Sequence, residues 1–235
     1  MSPTSHLSQN LALLAHETSL LTSTATALDD QTIRVASLCQ GWTRAHVLSH
    51  IARNADALGN LVSWAITGTP REMYTSPEAR DSDIEAGSTR GAREILTDLQ
   101  DSAARFASAV PGLAGAPEDA EVEMRAGRVV RGAQLPTLRL MEVVFHHVDL
   151  DAGYTFADAD PGFVKRAVNI AVDRFAVRAQ VPSITLHGDE GQTWSLGKGD
   201  QDVLGSNAGL LLWLARGDGD GLSSAAPLPE LPPWG

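Results

Sequence analysis

The sequence predicts a largely helical fold in two parts: a four-helix bundle over residues 1–153, followed by a smaller C-terminal α/β unit over residues 154–235. Two observations predict it. Up to Gly153, four segments of bundle length carry apolar residues three or four positions apart, the period that turns one face of a helix toward a core. After Gly153, short runs of strand length are separated by glycines and flanked by two further helical segments.

The bulk composition limits what such a chain can do. With 235 residues, 43% of them hydrophobic, a sizeable core is available. A formal net charge of −11 and the lack of a basic run argue against nucleic acid or an anionic membrane as partner. The N-terminal Met1-Ser2-Pro3-Thr4-Ser5-His6 is not a secretory signal, and no apolar run reaches about 18 residues, so a soluble cytoplasmic protein is expected. Cys39 is the single cysteine, which rules out an internal disulfide and a Cys-rich metal cluster.

Taken in order, Leu7, Leu11, Leu14, Leu21 and Leu28 predict a first helix over about 5–29. Thr43 is the expected N-cap of a second, whose buried stripe is Val47, Leu48, Ile51, Ala55, Leu58 and Val62 and which ends near Gly68. Residues 69–87 read as a long ordered loop with room for a short helix, and loops of that length are often functional. Ala92, Ile95, Leu99, Ala103 and Phe106 predict a third helix from Ser88 to Val110, stopped by Pro111-Gly112. A short hairpin over 121–130 turns at Ala126-Gly127, and Pro136 opens the fourth helix. In the second part, Asp160 and Pro161 start a helix running to about Ala179. Strands are expected at 183–187, 193–196 and 202–206, then a helix from Asn207 to Arg216 and an extended tail through Pro227, Pro229, Pro232 and Pro233.

The fourth helix carries the chemistry. Glu142 and His146 are four residues apart, so a carboxylate and an imidazole share one helical face and can converge on a point. His50 in the second helix is the best third ligand, and a His/His/Glu set has the ligand types of an open catalytic zinc site. His46 competes with His50, since the two are themselves four apart, although a first-turn histidine also suits capping. His147 points about 100° away from His146 and reads as a bystander. Asp149 lies on the inner side and could fix the tautomer of a ligand imidazole. Trp42 and Trp64 read as core, and Cys39 as a small hydrophobe or a reactive thiol. Arg216 ends the last helix ahead of Gly217-Asp218-Gly219-Asp220-Gly221, where it could clamp a carboxylate.

Four stretches together carry a resemblance: Gly41–Ala55, Met73-Tyr74-Thr75-Ser76-Pro77-Glu78-Ala79-Arg80, Glu142–Leu150 and Ala215–Gly221. They resemble the mycothiol-dependent maleylpyruvate isomerases. The first and third stretches are shared with the wider group of DinB-like metal-binding bundles, whereas the second and fourth are narrower.

The resemblance implies a DinB-like four-helix bundle, a C-terminal α/β domain, and zinc on His50, Glu142 and His146. It implies mycothiol as a thiol cofactor, with Tyr74 and Arg80 of the loop as cofactor-binding residues and Arg216 as the catalytic arginine. The implied reaction turns maleylpyruvate into fumarylpyruvate in gentisate breakdown. The thiolate adds to the double bond, the resulting single bond rotates, and the thiolate leaves. His147 departs from the family pattern without touching the three ligands. Two alternatives stay open: a mycothiol S-transferase on the same site, and a metal-binding or sensing module without turnover. The sequence sets neither the metal nor the oligomeric state, and a monomer is compatible with it.

Overall fold

In the computed structural model, which describes residues 3–178, 180–189 and 191–232, the N-terminal leucine pattern becomes α1, Pro3–Thr26. The helix stops short of the predicted 29 because Asp29 draws the chain into a local turn. Its Oδ1 accepts from the backbone N–H of Gln31 and of Thr32, at 3.1 and 2.8 Å, in competition with helical bonding. The expected second helix is α2, Arg44–Thr67, ended by Gly68 in the left-handed region at φ 70°, a conformation that costs glycine nothing.

The stretch read as a long loop with room for a short helix holds one of 12 residues, α3, Pro77–Ser88. Its start signal is plain: Ser76 Oγ accepts from Ala79 N–H at 3.0 Å and Pro77 occupies the first turn. It shows no apolar stripe because its only buried residues are Ile84, Gly87 and Ser88. The next helix, α4, Ala92–Ala109, therefore begins after the predicted Ser88. Two carboxylates cap it: Glu94 Oε2 accepts from Gly91 N–H at 3.1 Å, and Asp30 Oδ1 from Ala92 N–H at 2.7 Å. The hairpin forms as β1, Glu121–Glu123, antiparallel to β2, Val129–Arg131, with buried Val122 opposite buried Val130. Then follows α5, Leu135–Asp149. Helices α1, α2, α4 and α5 form the bundle, with α2 against α4 and α5, α1 against the same two, and α3 laid on α2.

By contact the chain falls into two units, Met1–Gly153 and Tyr154–Gly235. In the second, α6 spans Pro161–Ala176, with Asp160 Oδ1 accepting from Phe163 N–H at 2.7 Å; the predicted end at Ala179 lies outside the described residues. Four strands, β3 (Ile184–His187), β4 (Thr193–Leu196), β5 (Gln201–Leu204) and β6 (Ser223–Ser224), form a sheet in the order β4-β3-β5-β6. The β3–β5 pair is parallel, Ile184 facing Gln201, and the outer pairs are antiparallel. Strand β6 lies in the stretch expected to be an extended Pro-rich tail, where two serines carry no strand signal. Helix α7, Asn207–Arg216, packs on α6, and Gly217 closes it at φ 77°. Pro227, Pro229 and Pro232 lie outside helices and strands, whereas Pro233 is not among the described residues. No described helix is long and apolar enough to cross a membrane.

Candidate metal centre

Helices α2 and α5 bring together the pair singled out by spacing, Glu142 and His146, and the candidate third ligand, His50. His50 Nε2 lies 3.1 Å from Glu142 Oε2, and His146 Nε2 lies 3.5 Å from the same oxygen. One ligand atom from each of the three falls within 4.8 Å of the others, and the two imidazole rings meet edge to face at 4.7 Å between centroids. Two imidazole nitrogens and a carboxylate oxygen around one point suit a divalent ion with an open position.

Electrostatics tune the trio unequally. Burial pushes His50 down to about 4, against the favourable bond to Glu142, so this imidazole is neutral at physiological pH and available as a ligand. For Glu142, burial favours the neutral acid, but the hydrogen bonds from His146 and His50 outweigh it and hold the carboxyl well below its ordinary range. For His146, burial opposes the charge, and bonds to Asp149, Cys39 and Glu142 reverse this, raising it well above the ordinary histidine value.

Around the trio stands a set of supporting contacts. Asp149, fully buried, accepts from His146 Nδ1 at 2.7 Å and from the Cys39 thiol at 3.2 Å, which leaves His146 Nε2 turned toward Glu142. A buried carboxylate at the C-terminal end of α5 is unfavourable for the helix dipole. Arg44 offsets that end by donating Nε to Leu150 O at 2.5 Å and Nη2 to Asp151 O, and Leu38 N–H bonds Asp149 O at 2.9 Å. On the other side, Arg80 Nη2 lies 3.3 Å from His50 Nδ1. Arg80 also pairs with Asp81 at 2.6 Å and lies 5.9 Å from the centre of the Tyr74 ring. Burial raises the Tyr74 phenol, so it stays protonated at neutral pH.

Among the other singled-out residues, His46 is occupied at the start of α2, its Nδ1 accepting from Thr43 N–H at 3.2 Å and its Nε2 facing Glu85 Oε2 at 3.2 Å. It joins no ligand group among the described residues. His147 is buried, with Nε2 2.7 Å from Thr24 Oγ1, and lies in the core away from the trio. Trp42, read as core, instead packs on the site: its ring lies 5.5 Å from that of His50 and stacks on His46 at 6.3 Å. Cys39, read mainly as an inert hydrophobe, is the thiol beside Asp149 and lies 3.9 Å from His146 Nδ1. No spacing could reveal that contact, because 107 residues separate the two. Arg216, the last residue of α7, belongs to the second unit, where its Nη1 donates to Ala215 O at 2.7 Å.

One further residue went unmarked in the sequence. Arg139, on α5 one turn before Glu142, is 2% exposed, and its Nη1 donates to Ile51 O at 2.9 Å and Asn54 Oδ1 at 2.7 Å, so it ties α5 to α2 just past His50. Burial lowers it to about 10, which leaves it charged.

Bundle and trio together define the class: a helical-bundle protein with a candidate divalent-metal centre between two of its helices. Residues 14–151 match the family model of the mycothiol maleylpyruvate isomerase N-terminal domain, and the chain belongs to that family. It is also similar along its length to two solved structures, that of the mycothiol-dependent maleylpyruvate isomerase and that of a histidine-to-alanine variant. Each is 31% identical with a TM-score of 0.88, and 97% of both chains is covered. A shorter likeness, 24% identity over 126 residues, links 54% of this chain to 18% of the methionine–tRNA ligase of Lactiplantibacillus plantarum. The chain thus spans under a fifth of that protein.

Proposed function

We propose that this protein is a metal- and mycothiol-dependent isomerase that converts maleylpyruvate to fumarylpyruvate in gentisate degradation, acting in the cytoplasm. The convergence of His50, Glu142 and His146 within 4.8 Å, in a chain of this family, carries the reading. The donor set fits zinc: two imidazoles and one carboxylate, with Asp149 accepting from the outer nitrogen of His146 as metal-ligating histidines require.

A zinc ion held by His50, Glu142 and His146 would supply Lewis acidity toward a thiol at neutral pH, and mycothiol would supply the nucleophile for a reversible addition to the cis double bond. The chain's own residues hold and orient. His50, Glu142 and His146 are the ligands, and Asp149 fixes the His146 ring. Two neutral imidazoles and one carboxylate, with the ion and a thiolate, sum to no net charge, so a dicarboxylate substrate needs separate cations. Arg216 is proposed as the catalytic arginine that pairs with the substrate, while Arg80 and Tyr74 bind the anionic ligand or the thiol cofactor.

The test is to follow maleylpyruvate with metal-free and zinc-loaded protein, each with and without mycothiol. Fumarylpyruvate is expected only when both zinc and mycothiol are present. A stable thiol adduct in its place identifies a transferase, and no reaction at all favours a non-catalytic metal module.

A further inference from the structure

We infer that Arg80 and the metal ion compete for His50, so that loading the metal frees the Arg80 guanidinium for an anionic ligand. The inference rests on the metal reading above. A guanidinium has five N–H donors and no acceptor. The 3.3 Å approach of Arg80 Nη2 to His50 Nδ1 therefore requires a lone pair on Nδ1. In a neutral imidazole the proton is then on Nε2, where Glu142 Oε2 accepts it at 3.1 Å.

Ligation through Nε2 demands the opposite tautomer. The lone pair must face the ion, the proton must sit on Nδ1, and that N–H needs an acceptor. His146 already has one in Asp149, 2.7 Å from its Nδ1. His50 has a cation at the same place, so the two histidines are not equivalent: the outer nitrogen of His146 faces an acceptor and that of His50 faces a donor. When the ion arrives, the His50 proton passes from Nε2 to Nδ1 with no net gain or loss, and the Arg80 bond becomes donor against donor. Repulsion between the ion and the guanidinium acts in the same direction.

Arg80 does not leave altogether. Its Nη1 is held by Asp81 Oδ1 at 2.6 Å, so the side chain is tethered while Nη2 comes away from His50. A freed guanidinium edge beside the metal suits a carboxylate. Metal and carboxylate ligand then tighten each other's binding through Arg80, and the coupling is reciprocal.

The experiment reads the tautomer directly. Protein with 15N-labelled histidine rings is titrated with zinc by NMR, the His50 signals being assigned from their loss in His50→Asn. Before zinc, Nε2 is expected to carry the proton and Nδ1 to be bare; after zinc, Nδ1 is expected to be protonated. In parallel, Arg80→Met is expected to bind zinc about fivefold or more tightly than the parent in competition with a chromophoric chelator, without any anion added. The inference is overturned if His50 carries its proton on Nδ1 before zinc, or if a folded Arg80→Met binds zinc no more tightly than the parent. Should that variant not fold, the parent's NMR result decides alone. A parent that takes up no zinc sinks the metal reading and this inference with it, whereas a zinc-binding parent whose His50 never changes tautomer sinks the inference only.

Discussion

Asp149 offers the sharpest test of how the centre is held. Its carboxylate is fully buried and takes both the His146 Nδ1 proton, at 2.7 Å, and the Cys39 thiol proton, at 3.2 Å, on the same oxygen. Asp149→Asn keeps the shape and can present an amide oxygen to both donors, so it removes the charge alone. A hydrogen bond to a charged group contributes about 1.5–3 kcal/mol and a neutral one about 0.5–1.5, so the loss is about 1–1.5 kcal/mol. Since about 1.4 kcal/mol is tenfold in affinity, zinc should bind about tenfold more weakly. Asp149→Ala removes the acceptor as well, and a loss of about 10–100-fold is expected. The assay is zinc competition with a chromophoric chelator at pH 9. At neutral pH the deficit should shrink, because in the parent the metal must also displace the proton that Asp149 helps to hold on His146. Asp149→Asn binding zinc within twofold of the parent at pH 9 would falsify the claim that this carboxylate supports the ligand.

Other outcomes follow from the same contacts. Because His146 is raised well above its ordinary value and must lose its proton to ligate, zinc affinity should climb about tenfold per pH unit through neutrality; a flat profile there contradicts the assignment of His146 as a ligand. His50, lowered to about 4 from 6.5, is protonated more readily in the unfolded chain than in the folded one. The metal-free protein should therefore lose about 3 kcal/mol as pH falls from 6.5 toward 4, and urea unfolding of His50→Asn should show that much less loss. Gly87→Ala puts a methyl 2.9 Å from Ser49 Cβ and Oγ where α3 lies on α2, and it should cost about 1–3 kcal/mol by thermal unfolding; an unchanged melting temperature refutes the close approach. Arg216→Ala should lower kcat/KM by about 10–100-fold with zinc content unchanged, and parental turnover would remove it from the mechanism.

Local signals settled most of the fold and part of the site. Helices α2, α4 and α5 were legible because each buries one stripe against a core, and a stripe leaves a period of three and four along the chain. The pairing of Glu142 with His146 was legible for the same reason, four residues being one turn of a single helix. Helix α3 was legible only as room for a short helix within a loop, without bounds, because it buries only Ile84, Gly87 and Ser88 and so leaves no stripe. Everything else at the site depends on chain segments far apart in sequence. Tertiary packing decided that His50 rather than His46 meets Glu142, although both are on α2. It also decided that Cys39 lies against Asp149, 110 residues away, and that Arg80 faces the outer nitrogen of His50, 30 residues away. The sequence by itself determined which side chains share a helical face, since backbone geometry sets that within a turn or two. Which faces meet, and which nitrogen of each histidine faces Glu142, depends on packing between helices, and no spacing along one chain encodes it.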